Sequence, residues 1–196
     1  MARRLSPEAR RAEIIAVARD VIASNGYRSL SLREVARRCG MSAPGLMHYF
    51  PDMPTLLAAV LDARDEEDLA ALPLPKQPDA RLLDLIDSAL AYYAQRPAEV
   101  AQFDTLEIEA LDPQHPAHDY FVARNERTFE LMTAAIEREF DDPVAVAKLI
   151  RLLFDGMRLH ALRDPESGSM LVQWQAIREV VAQLSQRSTS RPGPVA

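Results

Sequence analysis

The strongest constraint on the fold is residues 31–50, which carry the signals for two short helices around a tight turn. Ser31 is followed three residues later by Glu34, a capping box that begins the first helix. Ser42 begins the second helix as its N-cap. Gly40, between them, can adopt the positive φ that a tight turn requires. This pattern predicts a helix-turn-helix, and the alternative is a corner between two helices of an ordinary bundle.

Helical spacing of apolar residues continues along the rest of the chain, and no convincing alternating run of a strand appears. We predict a first helix that begins after Ser6 and ends at Asn25, before Gly26. Asp52 can cap a fourth helix that runs to about Ala71. The sequence therefore predicts an all-α fold. Five further helices are expected at residues 79–95, 97–111, 116–140, 143–163 and 169–187.

A proline-rich segment divides the chain. Residues 72–78 contain three prolines in seven positions and cannot form a helix. We expect a three-helix N-terminal domain at residues 8–68 that contains the helix-turn-helix, with its fourth helix leading to a helical C-terminal domain at residues 79–187. Residues 188–196 are polar and contain two prolines, and are expected to form a disordered tail.

Charge is divided unevenly along the 196 residues. The first 50 carry nine arginines and four acidic residues, a balance of +5, so a formal net charge of −6 leaves −11 for the remaining 146. A basic N-terminal segment followed by an acidic remainder favours contact between the N-terminal segment and a polyanion. The alternative is that the arginines lie on solvated helix faces.

The sequence lacks the motifs that are typical of several classes of enzyme. The sequence has no Gly-rich phosphate loop, no Gly-x-Ser-x-Gly elbow and no His-Glu-x-x-His helix, so we predict that the protein is not an enzyme. The single cysteine, Cys39, cannot form an internal disulfide, and neither a signal peptide nor a membrane-spanning apolar stretch is recognisable. We expect a cytoplasmic protein with no membrane partner. A helical interaction module that does not bind DNA is a third class, which the charge division disfavours.

Residues 8–68 resemble the N-terminal DNA-binding domain of the TetR/AcrR family of transcriptional regulators. The resemblance implies an all-α homodimer that binds palindromic operator DNA as a repressor and releases it when a small molecule binds the C-terminal domain. The second helix of the motif would lie in the major groove. The residues that carry the resemblance are Ile14, Ile15, Ala18, Gly26, Tyr27, residues 31–36, residues 39–42, Leu46, residues 48–51, Leu56 and Leu57.

The second helix of the motif departs from the family pattern. Ala43, Gly45 and Met47 stand where polar or charged residues are common, and Met53 replaces a frequent lysine. Base reading is therefore expected to depend on apolar contact with thymine methyl groups and on a few hydrogen bonds. Arg33 could reach a guanine or a phosphate, and we favour phosphate. The predicted DNA-binding residues are Arg3, Arg4, Ser31, Arg33, Ser42, Ala43, Pro44, Gly45, Met47, His48 and Tyr49.

Two predicted C-terminal helices, 143–163 and 169–187, are apolar on more than one face. They are expected to pack against a second copy as a four-helix seam, the alternative being a pair of core helices within a monomer. The expected dimer residues are Leu153, Met157, Trp174, Ile177, Val181 and Leu184. Apolar walls with a few polar groups are typical of small-molecule sites. The ligand-binding candidates are Tyr92, Tyr93, Phe103, Glu107, Tyr120, Phe121, Arg124, Asn125, Phe154, Met157 and His160.

His115 and His118, with Asp112 and Asp119 nearby, are the residues closest to a metal-site pattern. Pro116 lies between the two histidines, and a helix is predicted to begin there. Helix capping is therefore the simpler role for these residues, and we predict neither a metal nor another cofactor.

Overall fold

The computed structural model describes residues 5–72, 81–164, 166 and 168–188. Within these ranges the chain is helical and contains no strand. This confirms the predicted all-α class. No helix in the described ranges has the length and apolar character needed to cross a membrane. The α-helices are α1 (Pro7–Asn25), α2 (Leu32–Arg38), α3 (Ala43–Met47), α4 (Met53–Ala71), α5 (Leu82–Ala94), α6 (Pro97–Glu109), α7 (His118–Ala135), α8 (Pro143–Arg163) and α9 (Met170–Ser188).

Local capping fixes the starts of the first four helices. The Ser6 hydroxyl accepts the N–H of Ala9 at the start of α1, and Gly26 ends that helix with φ of 75°. The Asp52 carboxylate accepts the N–H of Thr55 at 2.8 Å at the start of α4. Hydrogen bonds from the side chain and then the backbone of Thr55 lower the pKa of Asp52. These predicted boundaries are confirmed because a cap depends on groups only three residues apart.

The later helices differ from the prediction mainly at α7. Its regular part ends at Ala135, and residues 136–139 form tighter turns. In those turns the N–H of Glu139 bonds the carbonyl of Ile136. The carboxylate of Glu139 then accepts the N–H of Leu82 at 2.7 Å and caps α5, whose N-cap, Arg81, makes no side-chain capping bond.

The chain separates into two compact units. The first comprises Met1–Asp68 with Thr105–Phe121, and the second comprises Leu69–Asp104 with Val122–Ala196. The expected division near residues 72–78 falls mostly on residues 73–80, which lie outside the described ranges, as do tail residues 189–196. The sequence did not predict that the end of α6 and the start of α7 belong to the N-terminal unit.

Each unit has its own apolar core. In the first unit, Ile14, Val35, Leu46, Phe50 and Leu56 are fully buried, so α1, α2, α3 and α4 each contribute a side chain to its interior. The core of the second unit draws its buried residues from α5, the turn after α7, α8 and α9. Its members are Leu82, Ile86, Leu90, Ile136, Phe140, Ala147, Ile150, Met157, Trp174 and Val181.

A polar cluster anchors α9 in the second unit. The buried Trp174 donates its indole N–H to the Asp87 carboxylate at 2.7 Å, and Arg178 forms an ion pair with the same carboxylate at 2.7 Å. The hydrogen bond from Arg178 holds the pKa of Asp87 below its ordinary value. This cluster satisfies a donor that would otherwise be buried without a partner.

Candidate nucleic-acid interface

The turn between α2 and α3 is built from backbone hydrogen bonds around Gly40. The N–H of Gly40 bonds the carbonyl of Arg37, and the N–H of Met41 bonds the carbonyl of Ala36 at 3.0 Å. Gly40 has φ of 64°, a value that disfavours residues with a Cβ atom. Ala36 is buried, so its small side chain lets the two helices approach closely. The predicted helix-turn-helix geometry is present.

Two serines hold the helix starts that flank this turn. The hydroxyl of Ser31 accepts the N–H of Glu34, and that of Ser42 accepts the N–H of Gly45, both at 3.2 Å. A Cβ atom on Gly45 would lie 3.1 Å from the Ser42 hydroxyl oxygen, so glycine leaves room for this cap. Each serine proton stays available to donate outwards.

The outer face of α3 is mostly apolar. Pro44 and Met47 are exposed, Met47 by 48%, whereas Leu46 on the opposite side is fully buried. His48 follows α3 and is also exposed, with its ring 5.7 Å from that of Tyr49 in an edge-to-face contact. Ala43, Gly45 and Tyr49 are half-buried.

Arg11 fixes the chain at the exit of α3, a role that sequence reasoning missed. Its guanidinium donates to the carbonyl of Tyr49 at 3.2 Å and lies 4.3 Å from the ring centroid of Phe50. Because Arg11 and Tyr49 are 38 residues apart, no local pattern could have revealed this contact. The carbonyl that it binds belongs to a predicted DNA-binding residue, so Arg11 is a positioning residue.

Most arginines of the N-terminal unit are already paired with carboxylates. Arg37 and Arg38 both bond Glu34, and these bonds lower the pKa of Glu34 to about 2. Glu34 therefore does not reach back to Ser31 as a full capping box would require. The other ion pairs are Arg10–Glu13, Arg19–Glu67, Arg28–Glu109 and Arg64–Asp68.

Arg33 differs from these arginines. Its side chain is exposed. Unlike the other described arginines of this unit, Arg33 forms neither an ion pair nor a hydrogen bond with the described residues. Its charge is therefore uncompensated within the helix-turn-helix. Arg3 and Arg4, the other expected basic contacts, lie outside the described residues.

Comparison with known proteins agrees with this geometry. Residues 14–60 match the model of a family described as bacterial regulatory proteins, tetR family. Over these residues the chain is similar to the bacterial regulatory proteins of the tetR family. The matched residues contain most of α1, all of α2 and α3, and the start of α4. The family consists of DNA-binding transcriptional regulators and not of enzymes, which confirms the predicted class.

Solved structures share the TetR-family fold over almost the whole chain, whereas no curated protein matches it. A TetR transcription regulator from Haloarcula marismortui superposes with a TM-score of 0.72 at 19% identity, covering 92% of this chain and 98% of that one. A transcriptional regulator from Rhodococcus sp. Rha1 gives 0.69 at 19% identity, covering 93% and 99%. The multidrug binding protein EbrR complexed with imidazole gives 0.68 at 24% identity, covering 95% and 97%.

The predicted ligand residues are distributed over both units. Glu107, Tyr120 and Phe121 belong to the first unit, where the hydroxyl of Tyr120 donates to Asp65 at 2.8 Å. The other candidates belong to the second unit. There, Met157 is in the core cluster, Phe154 packs against it, His160 is exposed, and Tyr92, Tyr93, Arg124 and Asn125 are half-buried.

Aromatic rings and guanidinium groups meet twice among the candidates of the second unit. The Arg124 guanidinium lies 4.8 Å from the ring centroid of the buried Phe103. Arg96 lies 3.9 Å from the ring centroid of Tyr92, which itself contacts Tyr93 edge to face. Arg96 was not among the predicted residues, because nothing in the local sequence indicated which ring it would meet.

The structure assigns most predicted dimer residues to the interior of one chain. Met157, Trp174 and Val181 are buried in the core cluster, and Leu153 and Ile177 pack against it. The side chain of Leu184 is outside the described set. A different row of residues faces outwards, which we call the α8–α9 face. It consists of Leu149, Leu152, Gly156 and Leu159 of α8 with Val172 and Val180 of α9.

Both histidines of the metal-like pattern make capping contacts in the first unit. Nδ1 of His115 accepts the N–H of Ala117 at 3.1 Å, and Nδ1 of His118 lies 2.8 Å from the carbonyl of Ala110. The ring of His115 also packs against that of Tyr27, with centroids 5.0 Å apart. No cluster of three potential metal ligands occurs in the part of the chain that is described.

Proposed function

We propose that this protein is a TetR-family regulator, and that it is a homodimeric repressor that acts in the cytoplasm. In this proposal it binds palindromic operator DNA and leaves the DNA when a small molecule binds its C-terminal domain. The observation that carries the proposal is the exposed surface of the helix-turn-helix, where uncompensated Arg33 accompanies the outward residues Pro44, Met47 and His48. An unpaired guanidinium can neutralise a phosphate without first breaking an ion pair.

Dimerisation is supported by the α8–α9 face. Leu152 is 61% exposed, Leu149 42%, Leu159 45% and Val180 58%. A row of large apolar side chains on two neighbouring helices is typical of a contact surface. Gly156 lies within this row, and a Cβ atom added there would meet no atom of its own chain within 4 Å. An identical surface on a second copy would cover the row and give the twofold symmetry that a palindrome requires.

Ligand binding is proposed for the helical C-terminal domain. The contacts of Arg124 with the buried Phe103 and of Arg96 with the half-buried Tyr92 place a cation against each flat aromatic ring. EbrR, which shares the fold, is a multidrug binding protein whose structures hold imidazole, proflavin and malachite green. We propose that a small aromatic molecule is the ligand here too, and that it displaces a guanidinium from one of these rings.

The test is in vitro selection of duplex DNA by the full-length protein at low ionic strength. We expect a palindrome whose half-sites lie about one helical turn apart or slightly more. His48→Ala should weaken binding to the selected duplex without lowering thermal stability, because the ring is exposed and its aromatic contact is with its chain neighbour Tyr49. Failure to enrich any duplex sequence would refute the DNA-binding part of the proposal, and selection of a single unrepeated site would refute the dimeric part.

A further inference from the structure

We propose that α3 selects its operator through the methyl groups of thymine, and that Met47 is the principal residue that reads them. This inference rests on the proposed function, because it assumes that α3 enters the major groove. It concerns which chemical feature of a base pair is recognised. The residues that carry it are Ala43, Pro44 and Met47.

The chemistry of the α3 side chains leaves few ways to read a base. Residues 43–47 are Ala, Pro, Gly, Leu and Met, and none has a side-chain group that donates a hydrogen bond. The Met47 thioether is only a weak acceptor, and Pro44 lacks even a backbone N–H. The apolar feature that a base pair presents in the major groove is the C5 methyl group of thymine. Contact with that methyl is therefore the discrimination that these side chains can make.

The geometry directs the apolar surface outwards. Leu46 is fully buried and fixes the rotation of α3 about its axis. Pro44 and Met47 are three residues apart, so they lie next to each other on the opposite, exposed side. The unbranched Met47 side chain, 48% exposed, can adapt to the position of a methyl group. Together the two side chains form one continuous contact surface.

Charge complementarity identifies DNA as the molecule that covers this surface. The first 50 residues carry a balance of +5, which includes the uncompensated charge of Arg33 on the neighbouring helix. An apolar protein partner would not require this excess of arginine. Ser42 and His48 stand at the two ends of α3 and can donate hydrogen bonds there. They can orient the helix, but they cannot distinguish thymine from uracil, which differs only by the methyl group.

The experiment replaces thymine with uracil, one position at a time, in the duplex that the full-length protein selects. Uracil keeps every hydrogen-bonding group of thymine and lacks only the C5 methyl. Burial of one methyl-sized group changes affinity about four-fold, so the substitution in both half-sites should weaken binding about 15-fold. We expect this loss at one or two thymines per half-site and no change at the others.

Variants of Met47 connect the effect to its residue. Met47→Ala should bind thymine and uracil duplexes with equal affinity at the sensitive position, whereas Met47→Leu should still prefer thymine because it keeps an apolar side chain there. Met53→Ala, which changes a half-buried methionine of α4, is the matched control and should retain the preference. Circular dichroism would verify that each variant is folded.

The outcomes separate this inference from the proposed function. Equal binding of thymine and uracil duplexes by the unaltered protein would overturn the inference while leaving DNA binding intact. A thymine preference that persists in Met47→Ala would overturn the role of Met47. Failure to bind any duplex would overturn the proposed function and this inference with it.

Discussion

Truncation of Leu152 on the α8–α9 face tests whether that face joins two copies of the chain. Leu152 is 61% exposed, so about three fifths of its surface is available to a partner. Complete burial of a leucine side chain stabilises by roughly 1.5–3 kcal/mol. The available part then corresponds to about 1 kcal/mol per copy, after allowing for the Cβ atom that Ala keeps.

Twofold symmetry doubles this effect, because each copy contributes the same residue to an isologous interface. Leu152→Ala should therefore weaken dimerisation by about 2 kcal/mol, or roughly 30-fold in the dissociation constant. Sedimentation equilibrium over a range of protein concentrations measures that constant. Leu131→Ala is the matched control, since Leu131 of α7 is 52% exposed and lies outside the α8–α9 face.

Two results would refute the reasoning. The unaltered protein could sediment as a monomer at micromolar concentration, which would remove the dimer altogether. Alternatively, Leu131→Ala could weaken dimerisation as much as Leu152→Ala does, which would indicate an interface on another surface.

Three further predictions concern DNA contact, folding and helix approach. Arg33→Gln should reduce the slope of log DNA affinity against log salt concentration by about 2, because one phosphate contact is lost from each half of a dimer. Arg37→Gln is the control and should leave the slope nearly unchanged, because Arg37 already pairs with a carboxylate. A changed base preference with an unaltered slope would instead indicate that Arg33 contacts guanine. Asp87→Ala should lower the free energy of unfolding in urea by about 1–3 kcal/mol by leaving the Trp174 N–H unpaired, and Asp87→Asn by under about 1 kcal/mol. Because the pKa of Asp87 is lowered in the folded state, the unaltered protein and Asp87→Asn should differ in their free energy of unfolding by a constant amount above about pH 5. This difference in free energy should shrink below about pH 4, and a difference that grows as the pH falls would contradict the prediction. Gly156→Ala should raise helix stability by roughly 0.5–1 kcal/mol yet weaken dimerisation, and tighter dimerisation would exclude close helix approach at that point.

Local chemistry made the N-terminal helices predictable from the sequence. Ser6, Ser31, Ser42 and Asp52 each cap a helix through a backbone N–H only three residues ahead. Such contacts are determined by residues within one helical turn, so they can be recognised without knowledge of the tertiary fold. The exposed residues of α3 follow from the same argument, since burial of Leu46 determines which of its neighbours face outwards.

Contacts between distant residues account for what the sequence could not predict. Trp174 has a large apolar ring, so the sequence pattern predicts it at the dimer seam. In the structure its indole N–H meets Asp87, which lies 87 positions earlier, and the ring is buried within one chain. The residues that face outwards on α8 and α9 could be distinguished from the core only after the partners of each helix were known. Likewise, Glu139 caps α5 from 57 residues away.

The membership of Thr105–Phe121 in the N-terminal unit has a practical consequence for protein engineering. This segment contributes four buried side chains, those of Leu106, Ala110, Ala117 and Phe121. A fragment truncated after α4 would therefore lack part of its buried interior. A chimera that fuses the first 70 residues to the C-terminal part of another protein would contain that protein's residues in place of Thr105–Phe121. A chimera that keeps Thr105–Phe121 together with the first 70 residues should therefore retain its fold, whereas one that keeps only the first 70 residues should lose it.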